Sequence, residues 1–367
     1  MAEFLVSEGV DAEGFSCIAS IISAMRGARV ATSSGSSLQC SRRGSYLAAG
    51  GNQSRPIPRK SQQMKLTIAA KILLVSLLIT PITVAAQEFG VETREAVQYG
   101  IHDGAALVGD LYLPKVTETR PAIVAVHGGA WQVGSRDIYQ YMGPYLAAHG
   151  YAVFSIDYRL TRDGQNHFPA AVHDVRAAVQ WVRSQGTELR IDPARIALMG
   201  DSAGARLGAL VALAGDSSNY ANAYRDDPYA NVSTKVKAVV GVYGPYDLTK
   251  QWEHDLISRP TDNPTEILMG FPPMQDRLAW YAASPIAHAT FANNSTSFLL
   301  SYGTHDDNVD PGQSEAFLMA LKQAHFYVRT VIVQSAPHFW MADPVEEPNS
   351  FAGFLAPRLL RFLAQRL

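Results

Sequence analysis

The chain has 367 residues, 47% apolar and 17% charged, which is the composition of an ordinary globular protein with length for one large or two medium domains. Nine of its 31 Lys and Arg and four of its 33 Asp and Glu precede Gln87, so the remainder holds 22 basic against 29 acidic residues, a net charge of −7. That mildly acidic balance argues against nucleic acid or an anionic membrane as a partner. Both cysteines, Cys17 and Cys40, also lie before Gln87, which leaves no disulfide framework or cysteine-based metal site in the rest.

From Met64 the sequence reads MKLTIAAKILLVSLLITPITVAAQEFG. Lys65 and Lys71 give it a positive start, residues 72–82 an apolar middle and Val84-Ala85-Ala86 a small-residue end, the pattern of a secretory signal peptide cleaved near Ala86. Its uncharged run of 15 residues falls short of the roughly 20 that span a bilayer. Residues 1–63 are rich in Ser, Gly and Arg and show no sustained period. The expectation is that translation begins at Met64, that 1–63 are a non-native or disordered leader, and that 87–367 are the mature domain of a secreted or periplasmic protein.

Residues 105–113 alternate as an early strand closed by Pro114, and 122–126 are wholly apolar, as in a buried central strand. His127-Gly128-Gly129-Ala130-Trp131 follows at once. Paired glycines after a buried strand let backbone N–H groups face a ligand, as an oxyanion hole requires, whereas His127 reads as a structural side chain shaping the loop. A helix is expected over 137–148, a strand over 151–156 leading into Asp157-Tyr158-Arg159-Leu160, and a helix from Phe168 to Ser184 with Val172, Val175, Val179 and Val182 on one face. Regular alternation of strand and helix implies a mostly parallel sheet covered on both faces.

Residues 195–208 read RIALMGDSAGARLG. An apolar run stops at Gly200-Asp201-Ser202-Ala203-Gly204 and a helical segment follows, the G-x-S-x-G pattern of a serine on a sharp strand-to-helix turn. Such a turn presses the residues two before and two after the serine together, and only glycine leaves room. After a strand at 236–242, residues 246–284 carry four prolines and scattered aromatics without a clean strand. This stretch reads as an insertion over the carboxyl ends of the strands, and Trp252, Phe271, Trp280 and Tyr281 can line a pocket or pack the insertion onto the body. A strand at 297–302, a helix at 311–324, a strand at 328–333 and a helix at 350–367 complete the chain.

A serine hydroxyl needs a base, and the base an acid that fixes its tautomer. On this architecture they follow the serine in the order acid, then histidine, each after a late strand. The segment GTHDDNVD offers Asp306, Asp307 and Asp310, and QSAPHFWM offers His338.

Taken together, HGGAW at 127–131, DYRL at 157–160, FPAA at 168–171, GDSAGA at 200–205 and HDD before NV at 305–309 resemble the α/β-hydrolase superfamily. Within it they are similar to esterases related to hormone-sensitive lipase and to bacterial acetyl- and feruloyl-esterase-like carboxylesterases. The resemblance implies an α/β-hydrolase fold, with Ser202 as nucleophile, Asp306 as acid, Asp307 its rival, and His338 as base. It also implies oxyanion donors on Ala203 and on the loop Gly128, Gly129 and Ala130. Ala130 replaces the third glycine usual in the lipase-related group, and it is expected to donate its N–H from a negative φ. The implied activity is hydrolysis of short-chain or small aryl and acetyl esters through an acyl-enzyme, without metal or organic cofactor. The substrate is then a small-molecule ester, polysaccharide-linked esters included. An amidase, formamidase or peptidase using the same residues is the alternative, and a noncatalytic binding protein on the same scaffold is the reading from another class.

Overall fold

The all-apolar runs become the middle of a sheet. A computed structural model describes residues 88–367; the expected leader and signal peptide lie outside these residues. Eight strands, β1 (Val91–His102), β2 (Ala105–Pro114), β3 (Arg120–Val126), β4 (Ala152–Ile156), β5 (Ile191–Asp201), β6 (Ala238–Val242), β7 (Ser297–Gly303) and β8 (Val328–Val333), form one sheet in the order β1-β2-β4-β3-β5-β6-β7-β8. β2 is antiparallel to β1 and β4, and every pair from β4 through β8 is parallel.

Successive side chains of a strand point to opposite faces, so a continuous apolar run serves two cores. Val124, Val126, Leu198 and Val239 enter one, beneath helices α2 (Ala170–Ser184), α3 (Ala203–Ala214) and α8 (Pro311–Gln323). Ile123, Ala125, Ala197 and Val240 enter the other, beneath α1 (Met142–Ala148) and α9 (Phe351–Arg366). The expected two-sided covering is therefore present, and it places the carboxyl ends of β3, β5, β6, β7 and β8 along one edge.

Two elements differ from expectation. The helix expected over 137–148 is a 3-10 turn, Arg136–Tyr139, followed by α1. Pro144 explains the break, because it has no N–H and its ring would collide with the Gln140 carbonyl in a continuous helix. β1 is an additional edge strand, mostly exposed and carrying Glu92, Arg94 and Glu95, with register shifts between Arg94 and Val97 and between Gln98 and Gly100. Charge and irregularity on an unpaired edge resist strand-to-strand association.

The insertion at 246–284 folds as three short helices, α5 (Leu248–Ser258), α6 (Pro264–Met269) and α7 (Arg277–Ala282), after the single turn α4 (Ser218–Ala221). Asp247, Asn263 and Asp276 cap them by accepting from backbone N–H groups of the first turn. Trp252 donates to Glu266 and Trp280 to the Phe271 carbonyl, so these indoles pack the insertion together. Arg206 on α3 donates twice to the Ala283 carbonyl and ties the end of the insertion to the body.

Candidate active site

β5 ends on Asp201 and α3 begins at Ala203, which leaves Ser202 alone to make the turn. It does so at φ 49° and ψ −119°, a conformation that costs a non-glycine residue on the order of 1–3 kcal/mol. Its N–H donates to the Val242 carbonyl at 2.8 Å, anchoring the turn to β6. A Cβ on Gly200 would lie 2.3 Å from the carbonyl carbon of Gly204, and one on Gly204 would lie 1.9 Å from the Val126 oxygen. Gly204→Ala is accordingly expected to destabilise the fold by about 3 kcal/mol, because backbone at the end of β3 must move away from α3. A fall in the urea midpoint with unchanged m-value is the measurement.

The ends of β7 and β8 bring two more groups to the serine. His338 Nε2 is 3.0 Å from Ser202 Oγ, and His338 Nδ1 is 2.7 Å from Asp306 Oδ2. The other oxygen of Asp306 accepts from the N–H groups of Asn308 and Val309 at 3.1 and 2.9 Å. All three side-chain residues are at most 7% exposed. Asp307 is exposed, and Asp310 instead caps α8 by accepting from Gly312 N–H. Behind His338, the Tyr243 ring lies 4.4 Å from the imidazole and its hydroxyl accepts from Met341 N–H.

The glycine loop departs from expectation in two respects. Gly128 N–H donates to Asp201 Oδ1 at 3.0 Å, so it is committed to that carboxylate and is no candidate oxyanion donor. Ala130 adopts φ 51° rather than a negative φ, since the loop turns back tightly enough for Gln132 and Val133 N–H to reach the Gly129 carbonyl. Among the described residues, no acceptor is bonded to the N–H groups of Gly129, Ala130 or Ala203. These three residues line the same cavity as Ser202 and His338, about 340 Å³ in volume. His127 is wholly buried, stacks on Tyr158 at 4.3 Å and contacts its neighbour's carbonyl through Nδ1, with burial pushing its pKa down. It shapes the loop as a neutral ring.

Asp201 was not singled out from the sequence. Burial pushes its pKa up to about 6, against the opposing influence of the Tyr139 hydroxyl, the His338 charge and Gly128 N–H. The only signal for it was its place between Gly200 and Ser202. The insertion contributes Gln251, Asp255 and Pro264 to the cavity wall, while Trp252, Phe271, Trp280 and Tyr281 do not line it. Among the described residues no group of three His, Cys, Asp or Glu side chains is placed to hold a metal ion.

The chain that carries this strained serine, histidine and aspartate is similar to known proteins. The family model described as BD-FAE matches residues 109–321. The chain belongs to the BD-FAE family. Esterase LipC of Mycobacterium tuberculosis is 31% identical over 62% of this chain and 55% of its own length. The chain spans about half the length of the curated relatives it matches first. Among solved structures, Thermogutta terrifontis esterase 2 phosphoramylated by tabun superposes with a TM-score of 0.59 at 22% identity, over 75% of this chain and 94% of that one. A bifunctional GH43-CE protein of Bacteroides eggerthii gives 0.61 at 24% identity, over 75% and 38%. These neighbours share the α/β-hydrolase fold with this BD-FAE member.

Proposed function

We propose that this BD-FAE member is a serine carboxylic ester hydrolase working through an acyl-enzyme. The carrying observation is the buried chain Ser202–His338–Asp306 opening on a cavity also lined by Gly129, Ala130 and Ala203, whose N–H groups are uncommitted among the described residues. In this reading His338 Nε2 takes the Ser202 hydroxyl proton as Oγ attacks the ester carbonyl. Asp306 holds the proton on Nδ1 and balances the imidazolium. The carbonyl oxygen becomes an oxyanion held by the N–H groups of Gly129, Ala130 and Ala203. His338 then returns the proton to the departing alcohol, and water repeats the sequence on the acyl-serine to release the acid.

A cavity of about 340 Å³ suits small acyl and alcohol groups. The decisive experiment is a matched panel: p-nitrophenyl esters of increasing chain length, the corresponding anilides, and acetylated xylan. Turnover greatest on acetyl to butyryl esters, at least about 100-fold above the anilides, supports the reading, since an amide is the harder acyl donor. Comparable rates on anilides would replace it with an amidase. Export is the companion proposal, tested by the native amino terminus: Gln87 supports it, and an intact Met1 peptide overturns it.

A further inference from the structure

Asp201 lies next to the nucleophile, yet the acyl-transfer steps above do not use it. Its residue is 4% exposed, and one carboxylate oxygen accepts both from Gly128 N–H and from the Tyr139 hydroxyl, each at 3.0 Å. Tyr139 belongs to the 3-10 turn after the glycine loop, so this single oxygen joins the Ser202 turn, or elbow, to both ends of the segment that carries Gly129 and Ala130. Clearance is minimal: a Cβ on Gly128 would lie 2.5 Å from the other Asp201 oxygen. Gly128 and Asp201 are 73 positions apart in sequence, and β3 and β5 run side by side to bring them together.

Resting on the esterase reading, we infer that Asp201 is a positioning residue: through Gly128 and Tyr139 it fixes the loop that presents the oxyanion-binding N–H groups. A hydrogen bond at the first loop amide determines where the next two amides point. Without that acceptor, Gly128 N–H would be left buried and unpaired, and the loop would turn to satisfy it. The carboxylate also faces titratable groups on every side: Tyr139 from the turn, Tyr158 after β4, Tyr243 after β6 and His338 after β8. The pKas of the three phenols are raised by burial, and Asp201 adds to each, so they stay neutral across the working range.

The test compares Asp201→Ala, Asp201→Asn and Tyr139→Phe with the wild type on p-nitrophenyl acetate, each checked for folding by circular dichroism. Asp201→Ala is expected to lower kcat about 100-fold, the scale of a lost oxyanion donor, with KM changed far less. Asp201→Asn keeps an oxygen for Gly128 N–H and is expected to recover kcat to within about tenfold of wild type. Tyr139→Phe is expected to lower kcat several-fold. Should the alanine variant not fold, the other two decide. Wild-type kcat in folded Asp201→Ala or in Tyr139→Phe, or a kcat for Asp201→Asn more than about tenfold below wild type, overturns the inference. A wild type inert on every ester overturns the esterase reading instead.

Discussion

Replacing Ser202 by alanine is expected to lower kcat on short-chain aryl esters about a million-fold and to leave the fold in place. The size follows from the role: without Oγ there is nothing for His338 to activate, and only water held in the cavity remains as nucleophile. The small structural effect follows from what alanine keeps. It retains the Cβ and the N–H that bonds Val242, and loses only a hydroxyl whose side-chain partner is His338. Stability should stay within about 1 kcal/mol of wild type by urea titration. Wild-type enzyme should release a burst of p-nitrophenol equal to the enzyme concentration, and the variant none. Turnover within tenfold of wild type in the alanine variant would remove Ser202 from the nucleophile's role.

The elbow was legible because its sterics dictate residue type. Gly200 is forced by the Gly204 backbone across the turn, and Gly204 by the Val126 carbonyl at the end of β3. Asp306 and His338 were legible by position, since the first follows the wholly buried β7 and the second follows β8, the last strand of the chain, although most of β8 is partly or fully exposed. Other features depend on partners that a linear pattern does not carry. β1 has no alternation to read because most of its residues face solvent, and its place in the sheet comes from bonding to β2. The commitment of Gly128 N–H depends on a carboxylate from a different strand, so three loop residues that look equivalent in sequence are not equivalent in space. The DYRL segment is legible as a motif but not as a role: Arg159 binds Asp174 of α2, and Asp157 binds Arg136, which braces the glycine loop from outside. The aromatics of the insertion are a similar case, because packing and pocket lining demand the same residue types.

Asp306→Asn should lower kcat about ten-thousand-fold, whereas Asp307→Asn should stay within about twofold of wild type. The asymmetry comes from the hydrogen-bond directions around Asp306. One of its oxygens accepts from the N–H groups of Asn308 and Val309, two donors that cannot turn away. An asparagine must therefore give them its oxygen and aim its NH₂ at His338 Nδ1. Nδ1 then has to accept, which moves the ring proton to Nε2, the atom facing Ser202 Oγ. The histidine would present a donor where the mechanism requires an acceptor, and the imidazolium would lose its counter-charge as well. Asp307 is exposed and, among the described residues, its carboxylate bonds only the Asn308 side chain, so its amide changes neither the tautomer nor the backbone around Asp306. Measuring kcat for both variants on p-nitrophenyl acetate separates the two carboxylates that stand side by side in the sequence. A larger loss in Asp307→Asn would mean that the loop after β7 rearranges in the working enzyme to bring the outer carboxylate inward.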